Sequence, residues 1–288
     1  MNDYTLINGL TIPKIGYGTW KNLDAKQCVD SVKAALELGF RHIDCARVYA
    51  NEALVGQGIL NSGVPREKLF IASKLRNSAH GYENVRKEFE ATLKDLKTSY
   101  LDLYLIHWPV VAGHQEDWAK DNLETWKAFE ELYGEGKIKS IGVCNFSINH
   151  LENLVENATI APMVNQILIH PGVLLTDEIE YCRKHDILLE AYSPLAPLAE
   201  LIKDETFQHI MQNHGKSPAQ ILIRFILELG ALPLTKTIHP SRMSENLDVN
   251  DFSLDKDEMN FLKSWSHPDF APKDNQNERP AQALDAHL

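Results

Sequence analysis

Phe40–Glu52, FRHIDCARVYANE, begins as an apolar run and turns polar where a strand should stop. It places Asp44 and Tyr49 on either side of a bend into the next helix. The next strand, Leu69–Lys74 (LFIASK), ends on Lys74, and the one after, Leu101–Trp108 (LDLYLIHW), carries His107 near its end. Acid, phenol, amine and imidazole at the ends of successive strands describe a proton-transfer site on the rim of a barrel, since loops after parallel strands form the working face of that fold.

The alternation extends in both directions. Tyr4–Ile15 reads as a hairpin with Asn8-Gly9 as a two-residue turn. Lys14–Trp20 (KIGYGTW) is the first barrel strand, and Asp24 caps a helix through Glu37 that stops at Gly39. HIDCA leads to a helix from about Asn51 to Gly63. Tyr82–Leu96 repeats Val85, Phe89 and Leu93 every four residues, one buried helical face. Leu123, Trp126, Phe129, Leu132 and Tyr133 mark the helix after LDLYLIHW. SIGVCNF is the fifth strand, and Ser147 caps a helix through Val155. PMVNQILIHP and ILLEAYSPL are the sixth and seventh, separated by a helix that Thr176 opens. Helices over Glu205–Asn213 and Pro218–Leu229 precede ALPLTKT, the eighth strand, and SRMSENL is the last repeating helix. Asp255–Trp265 adds one more helix, and residues 266–288 form a polar, proline-bearing tail.

Eight strand–helix units without a linker predict an α/β protein, a (β/α)8 TIM barrel with an N-terminal β-hairpin and an extra C-terminal helix and tail, as a single domain over 1–288. An open doubly wound sheet is the alternative. Gly16-Tyr17-Gly18 and Gly56-Gln57-Gly58 each lack the third glycine of a dinucleotide fingerprint, which counts against it.

Composition narrows the function. A net charge of −11 disfavours general nucleic-acid binding, which needs a basic surface. No apolar run suggests a membrane span, and the start carries no signal-peptide pattern. Cys28, Cys45, Cys144 and Cys182 are scattered without metal-ligand spacing, consistent with reduced thiols in a cytoplasm. His42-x-Asp44, His107 and His170 come nearest to a metal set, but only one such pair falls on a strand, so no metal is expected.

The strand ends read Trp20, Asp44 with Tyr49, Lys74, His107, Asn145, Gln166, Tyr192 and Lys236. Polar strand ends occur in any barrel. The set of one amine, one acid, one phenol and one imidazole on neighbouring strands does not follow from solvent exposure. An inward Lys74 needs a counter-ion, and Asp44 on the adjacent strand supplies it. An ammonium beside Tyr49 is expected to lower its pKa toward proton donation.

HIDCARVYANE, SKL, YLDLYLIHWP, SIGVCNF, VNQ, AYSPL and SRMSENL, in this order and spacing, resemble the motifs of the aldo-keto reductase superfamily, over about Tyr4 to Trp265. The resemblance implies a catalytic tetrad of Asp44, Tyr49, Lys74 and His107, with Tyr49 the general acid. It implies NADPH as cofactor, with Asn145 and Gln166 holding the carboxamide, Tyr192 under the nicotinamide, Ser193 and Leu195 near the pyrophosphate, and Lys236, Thr237, Arg242 and Asn246 around the adenosine and its 2′-phosphate. Trp20, Val48, Arg76 and Trp108 would line the substrate pocket. Cys144 stands where the family usually has serine, Arg76 where many relatives have tryptophan, and Ala50 at a frequent glycine or glutamine, the last without expected consequence. The activity implied is reduction of a small carbonyl compound by a monomer. A cofactor-binding regulatory or structural barrel with slow turnover is the alternative from another class.

Overall fold

A computed structural model describes residues 3–111 and 113–270, so most of the expected tail lies outside the described residues. Eight parallel strands close into a barrel: β3 (Gly16–Gly18), β4 (His42–Asp44), β5 (Phe70–Leu75), β6 (Leu103–Ile106), β7 (Ile141–Cys144), β8 (Val164–Leu168), β9 (Leu188–Tyr192) and β10 (Leu232–Thr235). They neighbour one another in chain order, and β10 closes the ring by pairing with both β9 and β3. The expected barrel is therefore the observed one.

An antiparallel pair, β1 (Tyr4–Thr5) and β2 (Thr11–Ile12), precedes the barrel. Its register pairs Thr5 with Thr11, so the connection is longer than the two-residue Asn8-Gly9 turn expected from sequence. Asn8 instead works inside that loop, its Oδ1 accepting from Leu10 N at 3.0 Å, while Gly9 takes φ +85° and donates its N–H to Leu6 O. A side chain that can close a turn locally competed with the tighter alternative.

The helices follow the sequence signals closely. Asp24 Oδ1 accepts from Gln27 N at 2.7 Å and starts α1 (Ala25–Glu37). The helices α2 (Glu52–Ser62), α3 (Tyr82–Leu96), α4 (Trp118–Gly134), α5 (Ile148–Asn157) and α6 (Thr176–Lys184) come after successive strands. A short α7 (Leu198–Leu201), which the sequence reading did not separate, precedes α8 (Glu205–His214) and α9 (Pro218–Glu228). After β10 come α10 (Pro240–Leu247) and α11 (Lys256–Ser264), the latter opened by a reciprocal Asp255–Glu258 capping box.

Inside the ring, alternate residues of each strand point to the axis. At two places the neighbours of a glycine come so close that a Cβ would force a shift: of the Leu234 side chain at Gly16, and of the Val164 carbonyl, 2.7 Å away, at Gly142. A Cβ on Gly16 would lie 2.3 Å from Leu234 Cδ2, and one on Gly142 would lie 2.8 Å from Leu105 Cδ2. The same inward parity carries His42 and Asp44 on β4, Ala72 and Lys74 on β5, Gln166 on β8, and Glu190 and Tyr192 on β9. His42 meets the Phe70 ring edge-on at 5.0 Å, which places both on the barrel interior. Ala50, at the end of the turn after β4, takes φ +53°. A left-handed φ disfavours a Cβ, so replacing the family's frequent glycine there does carry a strain, contrary to the sequence expectation.

Candidate active site

The tetrad residues meet below one cleft. Lys74 is the last residue but one of the long strand β5, with its side chain fully buried. Its Nζ donates to Asp44 Oδ1 at 2.6 Å, to Cys45 O at 2.8 Å and to the Tyr49 hydroxyl at 3.3 Å. Tyr49 comes from a 3-10 turn, Arg47–Tyr49, that the bend after β4 creates. Its ring stands edge-on to the His107 ring, with centroids 5.9 Å apart. Asp44, Tyr49 and His107 line a cleft of about 530 Å³ with Trp20, Trp108, Cys144, Asn145, Gln166, Tyr192, Ser193, Leu195 and Lys236. Twelve residues proposed from sequence thus lie at the cleft or directly beneath it.

Burial sets the charge states. Lys74 is desolvated, which disfavours its charge, but the attraction and hydrogen bond of Asp44 outweigh this and raise its pKa. His107 is held well below the usual histidine range, first by burial and then by the Lys74 charge, so its imidazole is neutral. Tyr49 departs from the sequence expectation. Burial raises its pKa, and the lowering by Lys74 does not overcome the cost of a desolvated phenolate. In this state the phenol keeps its proton.

The far wall is a network of amides. Asn145 sits at φ +62° just past β7, so it leaves the strand's alternation and lines the cleft beside Cys144. Its Nδ2 donates to His107 O at 3.0 Å, and its Oδ1 accepts from Tyr192 OH at 2.8 Å. Gln166 donates through Nε2 to Asp44 Oδ1 at 3.0 Å and to Glu190 Oε2 at 2.7 Å. With both N–H groups used, its Oε1 has only a long contact from the Cys144 thiol, at 3.8 Å. A spare amide acceptor at the cleft wall suits a carboxamide N–H, so the residues present fit a nicotinamide.

Some expected residues sit elsewhere. Lys236 is at the cleft with Lys21, and its pKa is lowered by partial burial and then by the Lys21 charge. Arg242 is exposed on α10, Asn246 is buried on the same helix, and Thr237 O accepts from Tyr17 OH; none of the three lines the cleft. Val48 is buried and also lies outside the cleft lining. Strand β5 ends at Leu75; Arg76, its backbone still extended, caps a 3-10 turn, Asn77–Ala79, and is not among the residues that line the cleft. Among the described residues no group of three or more His, Cys, Asp or Glu could hold a metal ion.

The sequence reading passed over Glu190 and Lys21 and weighed His42 only as a metal ligand. His42 and Glu190 each stand two residues before a recognised site residue, on the same strand face, so parity alone could have found them. Lys21 follows Trp20 directly and lies over its ring at 4.5 Å.

The model of the family described as "Aldo/keto reductase family" matches residues 14–266. The chain is 44% identical over 254 residues to glyoxal reductase of Bacillus subtilis, covering 88% of this chain and 89% of that one. It is 40% identical over 255 residues to methylglyoxal reductase DkgA of Escherichia coli, covering 88% and 90%. An aldo-keto reductase of Bombyx mori, solved in complex with NADP, superposes with a TM-score of 0.86 at 30% identity, over 98% of this chain and 96% of that one.

Proposed function

This chain belongs to the aldo/keto reductase family, and from that premise we propose that it reduces small aldehydes and α-dicarbonyl compounds to alcohols with NADPH. The observation that carries the reading is the buried contact of Lys74 Nζ with both Asp44 and the Tyr49 hydroxyl on the floor of the cleft. A bound reduced nicotinamide supplies the hydride. The chain's own part is to hold the carbonyl and to give its oxygen a proton.

Tyr49 is the acid in this reading. Burial keeps its phenol protonated in the cofactor-free protein, and Lys74 stabilises the charge that forms when the proton leaves. Asp44 keeps Lys74 charged and in place. Neutral His107 can donate one hydrogen bond to the carbonyl oxygen, which fixes its direction toward Tyr49. Trp20 and Trp108 line the cleft and offer the acceptor apolar walls. The similarity to enzymes named for glyoxal and methylglyoxal reduction supports a small dicarbonyl substrate.

The test is oxidation of NADPH with methylglyoxal and with 4-nitrobenzaldehyde, by wild type and by Tyr49→Phe. We expect turnover by the wild type, and a loss of about 10²–10⁴ in kcat for the variant with NADPH affinity kept within a few-fold. Full activity in Tyr49→Phe would remove Tyr49 as the acid. Absence of wild-type turnover with a panel of aldehydes, despite tight NADPH binding, would favour the regulatory barrel.

A further inference from the structure

Glu190 is a carboxylic acid sealed inside the barrel. It lies on β9, two residues before Tyr192, with no exposure to solvent, and it is absent from the cleft lining. Its Oε2 accepts from Gln166 Nε2 at 2.7 Å, and its Oε1 faces His42 Nε2 at 3.5 Å without a hydrogen bond that meets normal geometry. We propose that Glu190 is a positioning residue, holding the Gln166 amide from below so that its carbonyl, and not its NH₂, is presented to the nicotinamide carboxamide. This rests on the cofactor reading given above.

The argument is one of donors and acceptors. The Gln166 amide has two N–H groups and one carbonyl. Asp44 Oδ1 engages one N–H and Glu190 Oε2 the other, so Oε1 is turned toward Cys144 and the cleft. An amide flipped by half a turn would set its oxygen against Asp44 Oδ1 and Glu190 Oε2 and deprive both of the Gln166 N–H, leaving Asp44 only the donation from Lys74. Without Glu190, one N–H would lose its acceptor and only Asp44 would oppose the flip.

The charges facing Glu190 indicate which form it takes. From β4 come Asp44 and His42, from β5 Lys74, from β7 the Cys144 thiol and from β8 the neutral Gln166; Leu232 and Leu234 on β10 and Gly16 on β3 bring no charge. Lys74 is already matched by Asp44, and burial followed by the Lys74 charge holds His42 neutral, at about 3. Glu190 therefore has no counter-ion of its own. Burial, with the charge of Asp44 behind it, pushes its pKa up to about 8. As the neutral acid it keeps one oxygen to accept from Gln166 and can turn its O–H to His42 Nε2.

Glu190→Gln copies that neutral form, since an amide carbonyl accepts from Gln166 and its NH₂ can serve His42. Glu190→Met removes the acceptor at similar volume. We expect Glu190→Gln to bind NADP⁺ within two-fold of wild type, and Glu190→Met to bind it about ten-fold more weakly. The weakening should vanish with the 3-acetylpyridine analogue of NADP⁺, whose acetyl group has no N–H for Gln166. Tryptophan fluorescence quenching reads each Kd, and Trp20 and Trp108 line the cleft. A Glu190→Met protein that binds NADP⁺ as wild type does, or loses both cofactors equally, overturns the proposal. Failure of the wild type itself to bind NADP⁺ would instead sink the cofactor reading.

A second readout needs no cofactor. A carboxyl whose folded pKa lies above its unfolded value of 4.5 costs stability as pH rises from there to about 8. Glu190→Gln lacks this loss. Its melting temperature should match wild type near pH 4.5 and exceed it by roughly 5–10 °C near pH 9. A constant difference at every pH would mean that Glu190 does not carry a proton in the folded protein, and would overturn the neutral-acid form.

Discussion

Lys74→Met removes the ammonium under the cleft and keeps most of the side chain's length, so the cavity cost is small. Three contacts go with it: to Asp44 at 2.6 Å, to Cys45 O at 2.8 Å and to Tyr49 at 3.3 Å. Asp44 is left with only 4% of its surface exposed and with the Gln166 N–H as its remaining side-chain donor. Breaking a buried pair from one side costs about 3–5 kcal/mol, because the surviving charge loses its partner without regaining water. The raised pKa of Lys74 means that its contribution is fully present below the unfolded value of 10.5 and is lost only as pH rises through the folded one. The whole penalty is therefore expected at pH 7. Guanidinium unfolding followed by circular dichroism measures it. Adding Asp44→Asn to Lys74→Met removes the stranded charge and should recover most of the loss, to within about 2 kcal/mol of wild type, since neutral replacements of buried pairs are often tolerated. A single variant within about 1 kcal/mol of wild type, or a double variant less stable than the single one, would refute the account of the pair. Catalysis should not recover in the double variant, because nothing then offsets the charge forming on Tyr49.

NADPH should bind more tightly than NADH by roughly ten-fold or more, because a charge-assisted contact to phosphate is worth about 1.5–3 kcal/mol. An anion between Lys21 and Lys236 would also relieve the repulsion that lowers the Lys236 pKa. Lys236→Ala should erase most of the preference, and equal dissociation constants for the two cofactors in wild type would end it. Arg76→Trp should change kcat/KM equally for an aldehyde ending in carboxylate and one ending in methyl, because Arg76 lies outside the cleft lining. A selective ten-fold loss for the carboxylate, about 1.4 kcal/mol, would place the guanidinium against the substrate after all.

Periodicity and stop signals made the architecture legible before any coordinates. Eight apolar runs, each closed by a cap or a glycine, specify strands and helices locally, and a ring of parallel strands is the arrangement that buries them all. Asp44, Lys74, His107, Gln166 and Tyr192 were readable for the same reason, since a strand end fixes which face a side chain takes. Asn8-Gly9 misled because turn length depends on which residues pair across the hairpin, and Thr5 opposite Thr11 is a tertiary outcome. Arg76 depended on whether β5 continued one residue further, and it does not.

The electrostatics could not be read from the chain. An ammonium beside Tyr49 suggested a lowered pKa, but the sign is set by how much water the fold removes, and here burial wins. Glu190 looked like one more polar residue in ILLEAYSPL. Only closing the barrel brought it to Gln166, 24 positions earlier, and through that amide to Asp44, 122 positions before Gln166. Sequence fixes which groups a strand face carries, because alternation is a local property of the backbone. Which groups share a buried floor, and at what charge, follows from ring closure and lost solvent, and these belong to the tertiary structure alone.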